Sequence, residues 1–451
     1  MNDSALLENN LLIDAGPQLG NSVKLWASPR AWLMLFPIFY FIVQGHIQTG
    51  TVDEKLRLSV QTDSFWGRWG FILLTVFCLA LVLRRFSQLL PKILAVKDIV
   101  GFALLALLST LWSDLPKRSL LNGVGEIAIT LLAIYVVSEF TPDEQMQLVV
   151  LPGFIALVCS IGAVFLFPAI GLDSDEGGPW RGIFAQKNGL GLVSLFLAMP
   201  AVHMRTTGTL SKLFRAAYLV LALVLIVRSQ AKTAWIVAVL YITFVIAIRA
   251  LRRFSGRDSA ILSMLLGLGS SGIATAIYQN RNSILGMLGK DPTLSERTVI
   301  WAAVWEEIAK RPILGYGYAA FWRGLNGASL NVILVSGFLL AQSQNGFLDV
   351  WSQMGLVGLA VLSLILIRAA HFAFVCLQLG RDESVIWYCA ILLCSVVYNF
   401  SESFLADPRH ICWFLFTIAC VGLRQTAIRL RLQAQSARSA YSLTPAPART
   451  A

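Results

Sequence analysis

Residues 213–249 read LFRAAYLVLALVLIVRSQAKTAWIVAVLYITFVIAIR. Two apolar runs, 213–228 and 232–249, are parted by a short polar break between Arg228 and Lys232. Each run approaches the ~20 residues that carry a helix across a hydrocarbon core. A helix satisfies its own backbone hydrogen bonds in lipid, so the stretch predicts a transmembrane helical hairpin. The pattern recurs outward in both directions. Twelve candidate spans lie near 31–49, 66–83, 96–113, 120–138, 147–170, 188–204, 213–228, 232–249, 260–280, 346–368, 384–403 and 410–426. Asp98 and Glu126 interrupt the third and fourth, and Gly189 and Gly191 weaken the sixth.

Composition agrees. Of 451 residues, 57% are apolar and 14% charged, against about 25% charged in a soluble globular domain. A single soluble enzyme and a disordered chain are both excluded. The net charge is +11, and in a membrane protein that excess points to cytoplasmic loops and anionic lipid. No basic run is interleaved with aromatics, so no nucleic-acid partner is expected. Seven cysteines lie in or beside apolar stretches without a CxxC pair, which predicts small buried hydrophobes. The first 25 residues lack a cleavable apolar core, so the first span is expected to act as the insertion signal.

Loop charge sets the expected orientation. With the N-terminus inside, 20 Lys and Arg fall on cytoplasmic segments and 10 in short outer loops. Both termini are therefore expected in the cytoplasm of a multi-pass inner-membrane protein. The fold class expected is all-α, with about 12 transmembrane helices and one long periplasmic loop containing amphipathic helices. The organisation expected is a cytoplasmic segment 1–30, helices 1–9 over 31–280, the loop 281–345, helices 10–12 over 346–426, and a disordered cytoplasmic tail 427–451. In the loop, Thr293-Leu-Ser-Glu296 reads as a capping box. The helix after it is expected to carry Leu294, Trp301, Trp305 and Ile308 on one face, against the outer leaflet, with Glu306, Glu307 and Lys310 opposite.

Cations gather at the outer ends of spans. Arg181 follows Asp173, Asp175 and Glu176, and precedes Lys187 and Asn188. Arg228 and Lys232, four apart, are expected on one helical face. Arg297 opens the amphipathic helix. Singly, each reads as a lipid-phosphate contact. Together they suit a diphosphate, which arginine grips bidentately and lysine as a point charge. Residues 341–349, Ala-Gln-Ser-Gln-Asn-Gly-Phe-Leu-Asp, offer amides and a hydroxyl at the entry to the tenth span, as sugar-binding groups or as a helix cap. Asn399-Phe-Ser401-Glu402-Ser403 places a carboxylate at an outer helix end, where it needs a partner such as Arg409 or one of these cations. Four scattered histidines make no metal site. No phosphate-cradling glycine loop is present, so neither metal nor cofactor is expected.

These stretches resemble the O-antigen ligase and polysaccharide polymerase superfamily of bacterial inner membranes, and within it the exopolysaccharide polymerisation proteins of the succinoglycan type. The likeness rests on Leu111-Trp-Ser-Asp-Leu-Pro116, Arg181-Gly-Ile-Phe184 with Asn188, and Ser229-Gln-Ala-Lys232-Thr-Ala234. It continues through Ser295-Glu-Arg297 with Trp301, Pro312-Ile-Leu-Gly315-Tyr-Gly317, Gln344-Asn-Gly-Phe-Leu-Asp349 and Gly355-Leu-Val-Gly358. The resemblance implies a donor glycan on undecaprenyl diphosphate, arginines on the diphosphate, and a loop histidine that activates the acceptor hydroxyl. Lys232 stands where the ligases have arginine, and Gln344 where they have histidine. Glutamine cannot serve as a general base.

The expected activity is therefore a metal-independent glycosyltransferase. It would polymerise exopolysaccharide repeat units by transferring a lipid-diphosphate-linked glycan onto a sugar hydroxyl of another lipid-linked unit. Arg181, Arg297 and Glu402 are the candidate catalytic residues, Glu402 as base with Asp349 second. Lys232, Arg228, Asn188, Gln344 and Asn345 are the candidate substrate-binding residues. The partners implied are lipid-linked oligosaccharide and the bilayer, with a chain-length regulator and export proteins as further candidates. Two alternatives stand beside this: an O-antigen ligase acting on lipid A core, and a flippase for lipid-linked oligosaccharide, which would show an internal repeat.

Overall fold

The computed structural model describes residues 25, 28–44, 65–173, 178–253, 295–337, 339–380 and 382–442. The described residues are helical, with a lone β-bridge between Leu172 and Trp180. In chain order the helices are α1 (Pro29–Gln44), α2 (Phe65–Leu83), α3 (Phe86–Ala95), α4 (Lys97–Leu108), α5 (Pro116–Glu139), α6 (Pro142–Leu166), α7 (Pro168–Gly171) and α8 (Lys187–His203). There follow α9 (Thr209–Arg228), α10 (Lys232–Leu251), α11 (Ser295–Lys310), α12 (Ala328–Ser336), α13 (Gly346–Leu379), α14 (Glu383–Tyr398) and α15 (Ile411–Ser442).

The protein is an all-α, multi-pass membrane protein. Six of these helices, α5, α6, α9, α10, α13 and α15, are each long and apolar enough to cross a bilayer. The expected ninth span, 260–280, the capping box at Thr293 and Leu294 lie outside the described residues. Helices α5 and α15 form the centre, with 72% and 83% of their apolar windows buried. Helix α15 also packs on α4, with Phe102 and Trp413 ring centroids 5.5 Å apart. Helices α9 and α10 are peripheral, with 22% buried, and their outward Leu, Val and Ile are suited to lipid. Gly191 lets α8 approach α10 closely, because an added Cβ would lie 2.7 Å from the Ala231 Cβ.

Ion pairs separate the two ends of the bundle. At one end Glu139 binds Arg30 and Arg85, Asp98 meets Arg368 and Arg424, and Glu383 joins Arg249 to His203. Every one of these groups lies on a segment whose charge count reads cytoplasmic. The described residues between 295 and 345 sit at the opposite end, hereafter the loop end.

Several expectations need correction. The link after α2 is itself a helix, α3, bent 98° from α2. The segment expected as a disordered tail from 427 is helical to Ser442, since Ala, Arg, Leu and Gln are good helix formers. Cys159 is exposed, whereas the other six cysteines are buried. Arg228 and Lys232 do not share a helical face: α9 ends at Arg228 and α10 begins at Lys232. Between them Gln230 adopts φ 52°, and the Ser229 hydroxyl donates to Ile226 O while accepting from Ala231 N.

The buried face of α11 also differs. Ile300, Ala303, Val304, Glu307 and Ile308 are buried, and Trp305 is half-exposed against Trp351. Tyr316, Phe321, Trp322 and Val332 supply a small core for that face, so it turns to protein instead of lipid. Glu307 is drawn inside because its carboxylate accepts from the Lys310 ammonium (2.5 Å), the Asn331 amide (2.8 Å) and the Tyr316 hydroxyl (3.1 Å). Burial, and then the Glu307 carboxylate, push the Tyr316 phenol up to about 12.

Candidate functional site

Three segments meet at the loop end: the start of α8, the start of α11, and residues 342–345 before α13. They converge on Glu402, in the turn after α14. The Asn188 amide donates to Glu402 Oε1 at 2.9 Å, and the Gln342 amide to Oε2 at 3.3 Å. The Arg297 guanidinium lies 3.9 Å from Oε1 and donates through Nε to Gln344 Oε1 at 2.8 Å. Glu402 and Arg297 are mostly buried, with side chains 11% and 19% exposed. A carboxylate at this depth needs donors, and here Asn188, Gln342 and Arg297 supply them.

The frame around these groups is built from backbone. The Asn345 side chain accepts from Phe347 N and Leu348 N and so caps α13, leaving its amide N–H₂ for other partners. Gln344 takes a left-handed φ of 55°. Ser343 N donates to both Asp349 oxygens, and the Trp322 indole donates to Asp349 Oδ1 at 2.8 Å. Asp349 is thus a buried brace for the 342–345 turn. The Trp301 indole donates to Ser343 O at 3.0 Å. Gly346 N donates to Asn399 O, and an added Cβ at Gly346 would lie 2.0 Å from Asn399 Oδ1. Only glycine lets the start of α13 lie against the Asn399 turn.

The remaining cations form a second group. Lys187 begins α8 and Lys232 begins α10, close enough for each charge to act on the other, with Asp173 acting on Lys187 as well. Arg228 stacks its guanidinium 4.8 Å over Trp180 and accepts Trp180 N at its carbonyl. Arg181 donates Nε to Ile170 O (2.8 Å) and Nη2 to Ala169 O (3.0 Å), bracing the end of α7. Arg409 stacks 4.8 Å over Phe71.

The structure therefore gathers Asn188, Arg297, Gln344 and Glu402 in one network. It places Asn345 beside them as a cap, and it sets Arg181 and Arg228 on neighbouring loop geometry. Gln342 and Lys187 were missed by the sequence reading, although both sit inside motifs it quoted. Their neighbours in space, Glu402 and Lys232, are far away in the chain, so spacing gives no signal for either.

The region matched by an O-antigen ligase family model is residues 217–363, from within α9 to within α13. It contains Arg228, Lys232, Arg297, Gln342, Gln344 and Asn345. The chain is also 26% identical over 410 residues to the exopolysaccharide production protein ExoQ of Rhizobium meliloti (strain 1021), covering 87% of this chain and 92% of that protein. The superfamily resemblance read from the motifs is borne out. Glu402, Asn188 and Arg181 lie outside the matched region. The network at Glu402 thus joins that region to helices on both sides of it.

Proposed function

We propose that this protein is an exopolysaccharide polymerase acting at the loop end on undecaprenyl-diphosphate-linked glycans. The observation that carries the reading is the convergence of Asn188, Gln342 and Arg297 on Glu402, which sets a carboxylate, a guanidinium and, with Gln344, three amides in one cluster. The similarity to a protein named for exopolysaccharide production supports the product class. Arg297, Lys187 and Lys232 are assigned to the diphosphate. Arg181 and Arg228 are assigned to shaping the loop that presents Lys187.

In the proposed reaction an acceptor sugar oxygen attacks the anomeric carbon of the donor. The bond from that carbon to the diphosphate oxygen breaks, and the bonding pair leaves with the lipid diphosphate. Cations stabilise that developing charge, and the fixed amides orient the acceptor. Glu402 takes the proton of the acceptor hydroxyl. Gln344 spends its carbonyl oxygen on Arg297, so its amide N–H₂ is the part that meets an acceptor oxygen.

The test is polymer formation from lipid-linked repeats in vesicles containing the purified protein. Glu402→Gln keeps the shape and removes the base, so the rate should fall by about 10²–10⁴. Arg297→Ala should fall by a similar factor, and Arg181→Ala by less. If Glu402→Gln and Arg297→Ala both polymerise near the wild-type rate, the reading fails. The family description favours one second reading, a ligase. Transfer of the same donor to added lipid A core, with no growth on lipid-linked repeats, would establish it.

A further inference from the structure

The turn between α14 and α15, residues 399–410, carries Glu402 and is held internally at two places. Asn399 Oδ1 accepts from Phe404 N at 3.4 Å and from Leu405 N at 3.3 Å. Asp407 Oδ1 accepts from Arg409 N at 3.0 Å. Between them, Asp407 N donates to Phe404 O at 3.3 Å and closes a four-residue turn whose third residue is Ala406. Ala406 has φ 65°. A positive φ at that place in a turn calls for glycine, because a Cβ disfavours the left-handed backbone. We infer that Tyr318 is a positioning residue for Glu402: its hydroxyl holds Ala406 in this conformation and so fixes the turn that presents the carboxylate.

The hydroxyl meets the Ala406 carbonyl at 2.5 Å and Glu126 Oε2 at 2.9 Å. A carbonyl oxygen only accepts, so the Tyr318 O–H is directed at Ala406. Tyr318 can act as a fixed point because its own backbone is tied on both sides. Its N–H donates to Ser109 Oγ at 2.9 Å, and its carbonyl accepts from Ser119 Oγ at 2.6 Å. Both serines are fully buried, as is Glu126, which holds the phenol oxygen from α5. The Tyr318 side chain thus runs as a strut from the α4–α5 corner of the bundle to the turn.

Asn188, Gln342 and Arg297 reach the Glu402 side chain, but the backbone under it needs its own support. The same turn also reaches the other half of the site. Asn399 O accepts from Gly346 N at 2.9 Å, beside Gln344 and Asn345. A shift at Ala406 would pass through Leu405 and Asn399 to Glu402 and to the start of α13 together. The consequence for rate rests on Glu402 being the base of the proposed reaction. A misplacement of about 1 Å at a reacting group can cost on the order of 10² in rate.

The test pairs kinetics in the vesicle assay with hydrogen–deuterium exchange of the full-length protein in mild detergent. Tyr318→Phe keeps the ring and removes the hydroxyl. It should lower kcat about tenfold, leave acceptor KM near the wild-type value, and speed exchange in 399–410. Adding Ala406→Gly should restore most of kcat and of the protection, because glycine takes the left-handed backbone without steric cost. Tyr316→Phe removes a buried hydroxyl from the same loop, bonded to Glu307 and not to the turn. It should leave kcat and the exchange of 399–410 at wild-type values. Three outcomes overturn the inference. One is a wild-type kcat in Tyr318→Phe. Another is faster exchange confined to residues 312–322, which would make Tyr318 a tie for the loop alone. The third is failure of Ala406→Gly to restore either quantity. Exchange does not depend on polymer synthesis. A protein that shows the exchange pattern but makes no polymer would refute the reading of Glu402 as base and leave the strut standing.

Discussion

Gln344 stands in a left-handed turn and donates nothing to Arg297, since its carbonyl accepts from the Arg297 Nε. An amide in that position orients; it cannot take a proton at neutral pH. Gln344→Ala should therefore cost about tenfold, the worth of one hydrogen bond of roughly 0.5–1.5 kcal/mol, and chiefly in acceptor KM. Gln344→His should retain activity. A thousandfold loss in kcat for Gln344→Ala, measured on lipid-linked repeats, would shift the chemical role from Glu402 to this turn.

At the scale of elements, what locks the loop to the bundle is a set of close backbone approaches. Asp114, in the turn between α4 and α5, binds both Arg311 (2.5 Å) and Arg323. Asp114 N donates to Tyr316 O, and the Trp112 indole donates to Leu314 O. On the other side Tyr316 N and Gly317 N donate to Ser352 O and Gln353 O. Helix α13 breaks at Gly355, φ 66°, where Leu356 N and Val357 N turn to Pro312 O and Ile313 O. The Tyr318 hydroxyl then reaches into the bundle, 2.9 Å from Glu126 Oε2 and 2.5 Å from Ala406 O. The interruption that Glu126 made in the fourth span is thus a docking point for the loop. Gly317 has φ 98°, and an added Cβ would lie 2.3 Å from Ser113 Oγ. Gly317→Ala should cost on the order of 2–4 kcal/mol, combining the left-handed backbone penalty with overpacking. Gly101→Ala, in α4 with nothing within 4 Å of its added Cβ, should be neutral or slightly stabilising. Comparable unfolding temperatures for the two variants would contradict this account. The glycine spacing of the loop was visible in the sequence. Its purpose was not, because Ser113 and Gln353 approach from opposite directions along the chain.

For the whole molecule, topology is the prediction that governs the rest. A reporter fused after Asn326 should behave as periplasmic, and one after Arg253 as cytoplasmic; the reverse pattern would put the Glu402 network on the wrong side for a lipid-linked donor. The sequence by itself determined the solvent and the class of fold. Apolar runs of membrane-crossing length can only be helices in lipid, and most observed helices fall on the expected spans. It also marked Arg297, Gln344, Asn188 and Glu402 as polar groups that need a reason to sit at helix ends. It laid the apolar face of α11 on the outer leaflet, because the aromatic residues that cover that face come from the segment after it. It read Arg228 and Lys232 as one face, because a three-residue break set by the Ser229 hydroxyl has no apolar period to reveal it. Only the tertiary structure decided that Glu402 is the meeting point, that Arg181 braces backbone, and that Asp349 supports a turn. Hydropathy is a property of each segment and its solvent, so one chain displays it. Partnership among polar side chains at helix ends depends on which ends the packing brings together, and residues 188, 297, 342 and 402 become neighbours only in the folded bundle.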